Sequence, residues 1–363
     1  MEFISIAVFV FLLLRLIVAG YNYFSAHKLK LSRSTCSKKI SILIPARDEE
    51  SNILLLLESI AKQSYGHYEV IILDDDSSDN TFSLADTFAK HHPKFKVIKG
   101  NKLPQGWTGK NYACWQLAAQ ATGDYLLFLD ADVFLSPNLL ESIIGYAEKK
   151  ELSLLSLFSN QQMETHGEKS VVPLMNFMLL TLLPIKLIGS HPHPVFSAAC
   201  GQLMLFKAED YHQHQWHEQL AGEVTEDLKI IKLVKRKGFK TDALLAGELL
   251  SCRMYTSYQG AVAGFSKNFI TPFNDSVCLF CLYLLTITIG PLLVFGFGNV
   301  NYILPILALI LMIRCFTSAS SGQNILMNLV YHPVQMANLL IIGCIAIQNN
   351  RSQSGQWKGR LIG

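Results

Sequence analysis

The sequence predicts an α/β fold in which a doubly wound, mostly parallel sheet is preceded and followed by membrane segments. Between residues 39 and 270, short apolar strands alternate with amphipathic helices, which is the order typical of a parallel sheet. Half of all residues are hydrophobic and 16% are charged, against roughly 25% charged residues in soluble domains. We therefore expect a membrane anchor at 1–24, a globular domain at 39–270, membrane segments at 276–348 and a basic tail at 349–363.

The first segment, Phe3–Ala19, is almost wholly apolar and long enough to cross a bilayer. A cleaved signal peptide is the competing interpretation, but the basic residues follow the apolar run instead of preceding it. Positive charge favours the cytoplasmic side. The pattern thus predicts a multi-pass protein of the cell membrane, with its amino terminus outside and its globular domain in the cytoplasm. The basic residues of this flank are Lys28, Lys30, Arg33, Lys38 and Lys39.

Three later apolar segments are candidate spans: Val277–Phe297, Tyr302–Ser318 and Ile325–Ile347. Four spans in all would place the tail outside, whereas its basic residues favour the inside. The alternative is that Ile325–Ile347, which contains His332-Pro333, is re-entrant or interfacial. Arg314 lies within a span, where it either marks a functional site or extends to the headgroups.

The globular domain is predicted element by element from apolar runs and their spacing. The strands are Ile40–Ile44, ended by Pro45, then Val70–Leu73, Phe95–Ile98, Tyr125–Leu129, Gly201–Phe206 and Phe239–Leu245. The helices are Ile53–Ile60, Thr81–Ala89, Tyr112–Ala121 and Glu226–Lys237, the last closed by Gly238. The apolar run Val171–Ile188 could cross a membrane, but we favour an interfacial helix over 171–190.

Two carboxylates, Asp130 and Asp132, follow the buried strand Tyr125–Leu129 directly. Ligands of open α/β sheets bind just outside the carboxyl ends of the strands. Buried unpaired carboxylates are costly, and a divalent cation such as Mg²⁺ or Mn²⁺ would compensate them while bridging to substrate phosphates. An ordinary surface turn is the alternative for Asp-x-Asp alone.

Several classes of function are disfavoured by what the sequence lacks. It has no G-x-G-x-x-G after the first strand and no Walker motif, which argues against dinucleotide oxidoreductases and P-loop NTPases. The net charge of +3 gives no reason to expect nucleic acid as a partner. The eight cysteines are scattered, and we expect them to be reduced and without zinc. A transporter is disfavoured by the small number of spans.

Four motifs in order resemble the family-two inverting glycosyltransferases, which have a Rossmann-like GT-A fold. They are Ile44-Pro45-Ala46-Arg47-Asp48-Glu49-Glu50, Asp74–Thr81, Asp130-Ala131-Asp132 and Thr225-Glu226-Asp227. A finer likeness is to the membrane branch that glycosylates carotenoid acids and to hopanoid-associated relatives. It rests on Gly106–Lys110, Arg253-Met254-Tyr255, Gly264–Asn268 and Trp357-Lys358-Gly359-Arg360.

The resemblance implies a role for each motif. Asp75, with Asp74 beside it, would contact the uracil of a UDP-sugar, and Pro45 and Glu49 would line the nucleotide pocket. Asp130 would lie near the ribose and sugar, and Asp132 would bind the metal. In the last motif Asp227 resembles the general base, next to Glu226. The acceptor would be a lipid, either a carotenoid or other isoprenoid, or alternatively a polyprenyl phosphate or a ceramide-type lipid.

Other residues keep two interpretations. Lys110 would meet the donor diphosphate or remain solvated, Arg253 would hold a diphosphate or form a surface ion pair, and Asp227 could be an ordinary acid at a helix start. His217 stands where the resembling branch has Gly-Gly-His, so we expect it on the acceptor side, although its neighbours are Gln215 and Trp216.

The family pattern is not matched everywhere. Asp76 and Asn80 replace glycines, and we expect Asn80 to tolerate a left-handed conformation. The Gln-x-x-Arg-Trp motif of polysaccharide synthases is missing, which predicts transfer of a single sugar. A catalytically silent membrane scaffold is the alternative from another class. Such a scaffold would bind UDP with Mn²⁺ without turnover. The intact acids of the motifs argue against it, because a scaffold does not need them.

Overall fold

The computed structural model describes residues 1–32, 37–352, 355–357 and 360–362, and these residues form two compact units. The sheet unit comprises Lys28–Asn160, Ile185–Cys252 and Gln356–Gly363, and the helical unit comprises Met1–His27, Gln161–Pro184 and Arg253–Gly355. Segments 161–184 and 253–270, which the sequence assigns to the globular domain, thus group with the apolar helices. Arg33, Lys358 and Gly359 of the predicted basic flank and tail lie outside the described residues.

The strands are β1 Ile40–Ala46, β2 Tyr68–Asp74, β3 Phe95–Lys99, β4 Tyr125–Leu129, β5 Val133–Leu135, β6 Leu154–Phe158, β7 Asn160–Gln161, β8 Leu203–Lys207, β9 Thr241–Leu245, β10 Leu250–Cys252, β11 Gly355–Trp357 and β12 Arg360–Ile362. The helices are α1 Glu2–Ser25, α2 Ile53–Ala61, α3 Thr81–Lys90, α4 Gly109–Gln120, α5 Leu139–Lys150, α6 His166–Val171, α7 Pro173–Leu182, α8 Lys186–Ser190, α9 Ala208–His214, α10 Trp216–Gln219, α11 Glu226–Arg236, α12 Tyr258–Phe265, α13 Val277–Leu284, α14 Gly290–Phe297, α15 Val300–Ser321, α16 Ile325–Val330 and α17 His332–Ser352.

The central sheet has the order β3-β2-β1-β4-β8-β6-β9. Strands β3, β2, β1 and β4 are parallel, as are β6 and β9, whereas β8 runs antiparallel to both β4 and β6. The predicted α/β fold with a mostly parallel sheet is therefore confirmed, with β8 as its antiparallel strand. A small second sheet has the order β5-β10-β7.

The inner strands of the central sheet are buried along their length, whereas the edge strand β3 is partly exposed. Every residue of β4 and β6 is buried, which explains their continuous apolar runs. Helix α4 begins at an N-cap, Thr108, whose hydroxyl accepts a hydrogen bond from the backbone N–H of Asn111 at 3.3 Å. Helix α11 is followed by Gly238 at φ +86°, in agreement with the predicted end of that helix.

Two predicted elements are wrong in their details. Pro45 does not end β1 but lies inside it, opposite Leu73 of β2. It is tolerated because the pairing of β1 with β4 stops at Leu43, so no ladder hydrogen bond is lost on that side. The single helix expected over 171–190 is two short helices, α7 and α8, because Pro173 begins a new helix after α6 and Leu183 leaves the helical conformation.

The helical unit contains α1, α7 and α15 packed side by side. The Asn22 side chain of α1 donates to the carbonyls of Leu180 at 2.9 Å and Leu183 at 2.8 Å. In α15, Arg314 is buried within the helical unit, at 1% exposed. Its guanidinium lies 4.0 Å from the centre of the Phe177 ring, and its Nε donates to His332 at 2.7 Å.

Among the described residues, three helical stretches are long and apolar enough to cross a membrane: Glu2–Ser25, Val277–Phe297 and Val300–Ser321. The second is continuous because a π-helical turn, Leu285–Ile289, joins α13 to α14. The candidate span Ile325–Ile347 is not a single helix, since the chain breaks between α16 and α17 at Tyr331. Its side chains also form a buried polar network, in which Gln335 donates to Asn328 at 3.1 Å and to the Lys169 carbonyl at 2.9 Å.

Candidate functional site

The carboxyl ends of β1 and β2 carry two loops that hold each other. In the first loop Asp48 accepts hydrogen bonds from the backbone N–H and the hydroxyl of Ser78 in the second, at 2.7 and 3.0 Å. Glu50 likewise accepts from the backbone N–H of Asn80 at 3.2 Å. The first two acidic motifs are therefore one structural feature, in which each loop fixes the conformation of the other.

The left-handed position of the second loop is not the one expected from the sequence. Asp76 has φ 61°, whereas Asn80 has φ −82° and precedes α3 as its N-cap. Asp48 of the first loop also has a positive φ of 50°. Aspartate tolerates this conformation better than most residues, so the turn forms without glycine.

The residues predicted to bind the nucleotide lie along this edge. Asp74 and Asp75 are 7% and 5% exposed, and the backbone N–H of Asp75 donates to the carbonyl of Ala46 at 2.8 Å. Glu49 is held at its backbone N–H, which donates to the Thr81 hydroxyl at 2.7 Å. Pro45 is the residue before the last in β1. The structure thus brings these four residues together at the ends of two adjacent strands.

Lys110, in the first turn of α4, links two of the acidic motifs. Its Nζ lies 2.7 Å from Asp130 Oδ1 and 3.3 Å from Glu226 Oε1. Burial alone would lower the pKa of Lys110, but the charges of Asp130 and Glu226 outweigh burial and raise its pKa well above the ordinary value. The ammonium group is therefore permanently charged, and it neutralises part of an otherwise acidic site.

Glu226 and Asp227 begin α11 and differ in their surroundings. Glu226 is buried, and burial raises its pKa to about 7 although the charge of Lys110 opposes this shift. Asp227 is partly exposed and accepts hydrogen bonds from the backbone N–H groups of Gly201 at 3.0 Å and Leu228 at 2.7 Å. Of the two acids, Asp227 is the one that an acceptor could reach.

Gly201 lies close to all three of these charged groups. A Cβ atom at this position would lie 3.0 Å from Lys110 Nζ, 3.5 Å from Glu226 Oε1 and 3.7 Å from Asp227 Oδ2. The absent side chain leaves room for the lysine and both carboxylates at the start of β8.

Asp132 has the surroundings expected of a cation ligand. Burial, followed by the charges of Asp130 and Glu49, raises its pKa to about 7. Its Oδ1 is buried without a hydrogen-bond partner in the part of the chain that the structure describes. No group of three or more His, Cys, Asp or Glu side chains arranged for a metal occurs among the described residues. One or two carboxylates are nevertheless the protein ligands that Mg²⁺ needs when substrate phosphates supply the rest, so Asp132 and Asp130 fit such an ion.

His217 is not brought to the acids. Its ring is 2% exposed, lies 4.8 Å from the centre of the Phe128 ring, and shares a 2.7 Å hydrogen bond with the Tyr211 hydroxyl. Burial lowers the pKa of His217 to about 3, so the ring is neutral. The structure shows a buried core histidine, and an acceptor role gains no support from this position.

Arg253 belongs to the helical unit, where it forms ion pairs with acids. Its Nη2 lies 2.9 Å from Glu168 Oε1, and its Nη1 lies 2.8 Å from Glu164 Oε2. Glu168 in turn accepts from the Thr165 hydroxyl at 2.9 Å, so the arginine is fixed to the start of α6. The ion pair with an acid is thus observed, and a contact with diphosphate stays a prediction.

Several residues of the site cannot be recognised from the sequence. Asn111 is buried beside Lys110, and its amide donates to the carbonyls of Leu220 at 2.7 Å and Glu223 at 3.0 Å. It holds the segment that leads to Glu226. Gln202 and Cys252 reach the acids of the third motif from other strands. No local pattern reveals them, because each contact joins residues far apart in the sequence.

Comparisons with known proteins agree with this architecture. The family model described as "Glycosyl transferase family 2" matches residues 41–214. Residues 41–214 are a family 2 glycosyltransferase domain. The match covers the two loops, Lys110 and the Asp130–Asp132 motif of this domain.

The glycosyltransferase domain resembles carotenoid-type enzymes in particular. The chain is 28% identical over 266 residues to 4,4'-diaponeurosporenoate glycosyltransferase of Staphylococcus haemolyticus (strain JCSC1435), covering 69% of this chain and 68% of the relative. It is 26% identical over 252 residues to the protein of that name from Staphylococcus aureus (strain USA300), covering 68% of this chain and 64% of the relative. The chain thus spans somewhat less than two thirds of the second relative.

A solved structure supports the fold. A mannosyltransferase from Pyrobaculum calidifontis, in complex with GDP-Man and Mn²⁺, aligns with a TM-score of 0.58 at 15% identity. The alignment covers 96% of this chain and 98% of that chain. The resemblance to family-two glycosyltransferases with a GT-A fold, predicted from four short motifs, is therefore confirmed.

Proposed function

We propose that this protein transfers a single sugar, with inversion, from a nucleotide sugar to a lipid acceptor at a membrane. The observation that carries the proposal is the acidic edge of the sheet unit. There Asp74 and Asp75 lie at the end of β2, Asp130 and Asp132 follow β4, and Lys110 pairs with Asp130 at 2.7 Å. Among the described residues two of these acids have a buried oxygen without a hydrogen-bond partner, Asp74 Oδ1 and Asp132 Oδ1, which suits a substrate that arrives with a cation.

The donor is proposed to be a UDP-sugar, with UDP-glucose as the first choice. The nucleotide would contact the loop edge at Pro45, Glu49, Asp74 and Asp75. Asp132 with Asp130 would hold Mg²⁺ or Mn²⁺, which neutralises the negative charge developing on the leaving diphosphate. Because the Pyrobaculum mannosyltransferase binds GDP-Man, GDP-mannose is the donor to compare.

In the transfer step an oxygen of the acceptor forms a bond to the anomeric carbon while the bond to the diphosphate oxygen breaks. For a hydroxyl acceptor, Asp227 would take the proton. For a carboxylate acceptor no proton is present, and Asp227 would orient the acceptor. Lys110 would balance the charges of Asp130 and Glu226, because its Nζ lies within 3.3 Å of both carboxylates.

A carotenoid or other isoprenoid acid is the proposed acceptor. The support comes from the relatives, whose name specifies diaponeurosporenoate, and from the apolar helices of this chain. A lipid of this kind resides in the bilayer, so an enzyme that uses it gains from membrane segments of its own.

The proposed topology has three spans: α1, the α13–α14 stretch and α15. With the amino terminus outside, an odd number of spans places the sheet unit and α17 on the cytoplasmic side. Arg351 and the basic tail would then also lie inside, as the positive-inside tendency favours. Three spans remove the conflict that four spans create between the count and the charges.

The test measures release of UDP from UDP-glucose by the purified full-length protein in lipid nanodiscs, with Mn²⁺ or Mg²⁺. Diaponeurosporenoic acid is added or omitted, and GDP-mannose is compared as donor. We expect release that depends on metal and acceptor and that falls at least about a thousandfold in Asp132→Ala. Asp124→Ala is the matched control, because Asp124 precedes the same strand at its opposite end.

Near-normal turnover by Asp132→Ala would overturn the metal assignment. UDP and Mn²⁺ binding without turnover on carotenoid, polyprenyl phosphate or ceramide would instead favour the silent scaffold. Labelled product isolated from the nanodiscs would identify the acceptor class directly.

A further inference from the structure

Three buried side chains lead from the interior of the sheet unit to Asp132. They are Ser159, which follows β6, Gln202, which precedes β8, and Cys252, the last residue of β10. All three are at most 5% exposed. They come from three separate parts of the chain and meet only in the folded sheet.

The hydrogen bonds in this chain of side chains have a fixed direction. The Ser159 hydroxyl donates to Gln202 Oε1, so the amide nitrogen of Gln202 is directed the other way. That nitrogen donates to Cys252 Sγ at 2.8 Å. The sulfur is thereby occupied as an acceptor. Cys252 is placed beside Asp132 by its pairing with Val133, and a hydrogen bond from the Cys252 thiol is among the influences that lower the pKa of Asp132 against the effect of burial. The Gln202 amide cannot reverse without losing its bonds to both Ser159 and Cys252.

The same residues also hold the backbone of the Asp-x-Asp motif. The backbone N–H of Asp130 donates to the carbonyl of Gln202 at 3.2 Å. Cys252 pairs with Val133 in the antiparallel ladder of β5 and β10, directly after Asp132. Gln202 thus fixes Asp130 through its main chain and fixes Asp132 through Cys252.

We propose that Gln202 and Cys252 are positioning residues that hold the Asp132 carboxylate for the cation of the nucleotide sugar. This inference rests on the proposed function. The thiol occupies part of the carboxylate, and Oδ1 is left without a partner among the described residues, available to a divalent ion. Residues that hydrogen-bond a metal ligand from behind fix its orientation, and their loss typically reduces metal affinity by about 10–100-fold.

The test is Mn²⁺ binding to the full-length protein in nanodiscs with saturating UDP, measured by electron paramagnetic resonance of free Mn²⁺. Cys252→Ala removes the donor, and we expect Mn²⁺ affinity to fall about tenfold or more. Cys252→Ser keeps an O–H donor and should restore most of that affinity. Ser142→Ala is the control, since Ser142 is an equally buried donor of the same unit whose hydroxyl bonds to the Asn138 carbonyl in α5, outside this chain of side chains.

A second variant guards against a fold defect at position 252. Gln202→Met keeps the side-chain volume but donates nothing to Cys252, so we expect a smaller loss of Mn²⁺ affinity with an unchanged circular dichroism spectrum. In turnover assays the Mn²⁺ concentration for half-maximal rate should rise, while kcat at saturating Mn²⁺ stays near normal.

The outcomes separate this inference from the proposed function. Equal Mn²⁺ affinity in wild type, Cys252→Ala and Gln202→Met would overturn the positioning role while leaving the transferase intact. Equal losses in Cys252→Ala and Cys252→Ser would also overturn it, because packing and not hydrogen bonding would then be responsible. Absence of Mn²⁺ and UDP binding in wild type would instead refute the proposed function.

Discussion

The two ends of the central sheet treat their carboxylates in opposite ways. At the amino end, Glu69 of β2 accepts hydrogen bonds from the Ser41 hydroxyl at 2.6 Å and from the Thr122 N–H and hydroxyl at 2.9 and 2.8 Å. Its other oxygen lies 3.0 Å from Lys39 Nζ. Burial by itself would raise the pKa of Glu69, but these partners lower it to about 2.

At the carboxyl end, Asp132 and Glu226 have pKa values raised to about 7, chiefly by burial. One oxygen of Asp132 has no partner in the described part of the chain. The carboxylate of Glu69 at the amino end of the sheet thus has partners for both of its oxygens, whereas the carboxylate of Asp132 at the carboxyl end does not. Incomplete satisfaction costs stability and leaves acids ready for a ligand, which is what a binding site requires.

The largest expected effect comes from removing Lys110. In Lys110→Met the buried carboxylate of Glu226 and the half-buried carboxylate of Asp130 lose their cation, which should destabilise the protein by about 3 kcal/mol and abolish turnover. Lys39→Met, at the amino end, removes a lysine that is more exposed and should cost less than about 1 kcal/mol. Thermal melting and UDP release measure both; equal losses would contradict the contrast between the two ends.

Asp132→Asn should make the protein more stable, and increasingly so as the pH rises. A carboxyl whose pKa is raised on folding contributes stability at low pH that is lost as the pH rises from its ordinary value of 3.8 toward about 7. Asparagine has no such loss. We expect little difference between variant and wild type near about pH 4 and a gain of about 2 kcal/mol near about pH 8 without metal. A gain that is independent of pH would show that ionisation of Asp132 is not the cause.

Glu69→Gln should have the opposite sign. A carboxyl whose pKa is lowered on folding contributes stability above its ordinary pKa of 4.5, and this contribution is lost as the pH falls toward about 2. The variant should therefore be about 1 kcal/mol less stable than wild type at neutral pH, after allowance for solvent screening, and equal to it in strong acid. Urea unfolding at several pH values checks this, and equal stability of the two proteins at neutral pH would contradict it.

The smallest effect is expected at Gly201. In Gly201→Ala the new methyl group lies 3.0 Å from the flexible end of Lys110, which must shift slightly. We expect a loss in turnover of about threefold to tenfold and little change in melting temperature. Gly66→Ala serves as the control, because a Cβ there meets nothing within 4 Å. A change in melting temperature as large as that of Lys110→Met would mean that Gly201 has a structural role instead.

The elements of the sheet unit were predictable because their signals are local. Runs such as Val70–Leu73 and Tyr125–Leu129 are apolar because both faces of the sheet are covered, and the acids after them mark the strand ends. The prediction that Pro45 ends β1 is wrong because the effect of a proline depends on the adjacent strand. A proline fits at this position because the pairing of β4 with β1 has already stopped. The break at Leu183 is not predictable in this way, because apolar composition alone does not distinguish one helix from two.

The candidate site was predictable in its acids and not in what surrounds them. Asp130, Asp132 and Glu226 belong to short motifs, whereas the contact of Lys110 with Glu226 joins α4 to α11. The role of Cys252 could not be predicted, because the sequence around a buried cysteine does not show whether its thiol only packs or also forms a hydrogen bond. Such contacts depend on strand order, and the insertion of antiparallel β8 between β4 and β6 does not follow from alternation of strands and helices.

That position of β8 has a consequence for the order in which the protein matures during synthesis. Strands β1 to β4 and both acidic loops leave the ribosome first and can pair among themselves, since they are consecutive parallel neighbours. Strand β8 must then join the exposed edge of β4, and only after it do Glu226 and Cys252 emerge. Domains fold from the amino terminus during translation. The two acidic loops would thus form before Lys110 meets Glu226, and the nascent chain would hold an acidic sheet edge before the ion pairs of Lys110 are complete.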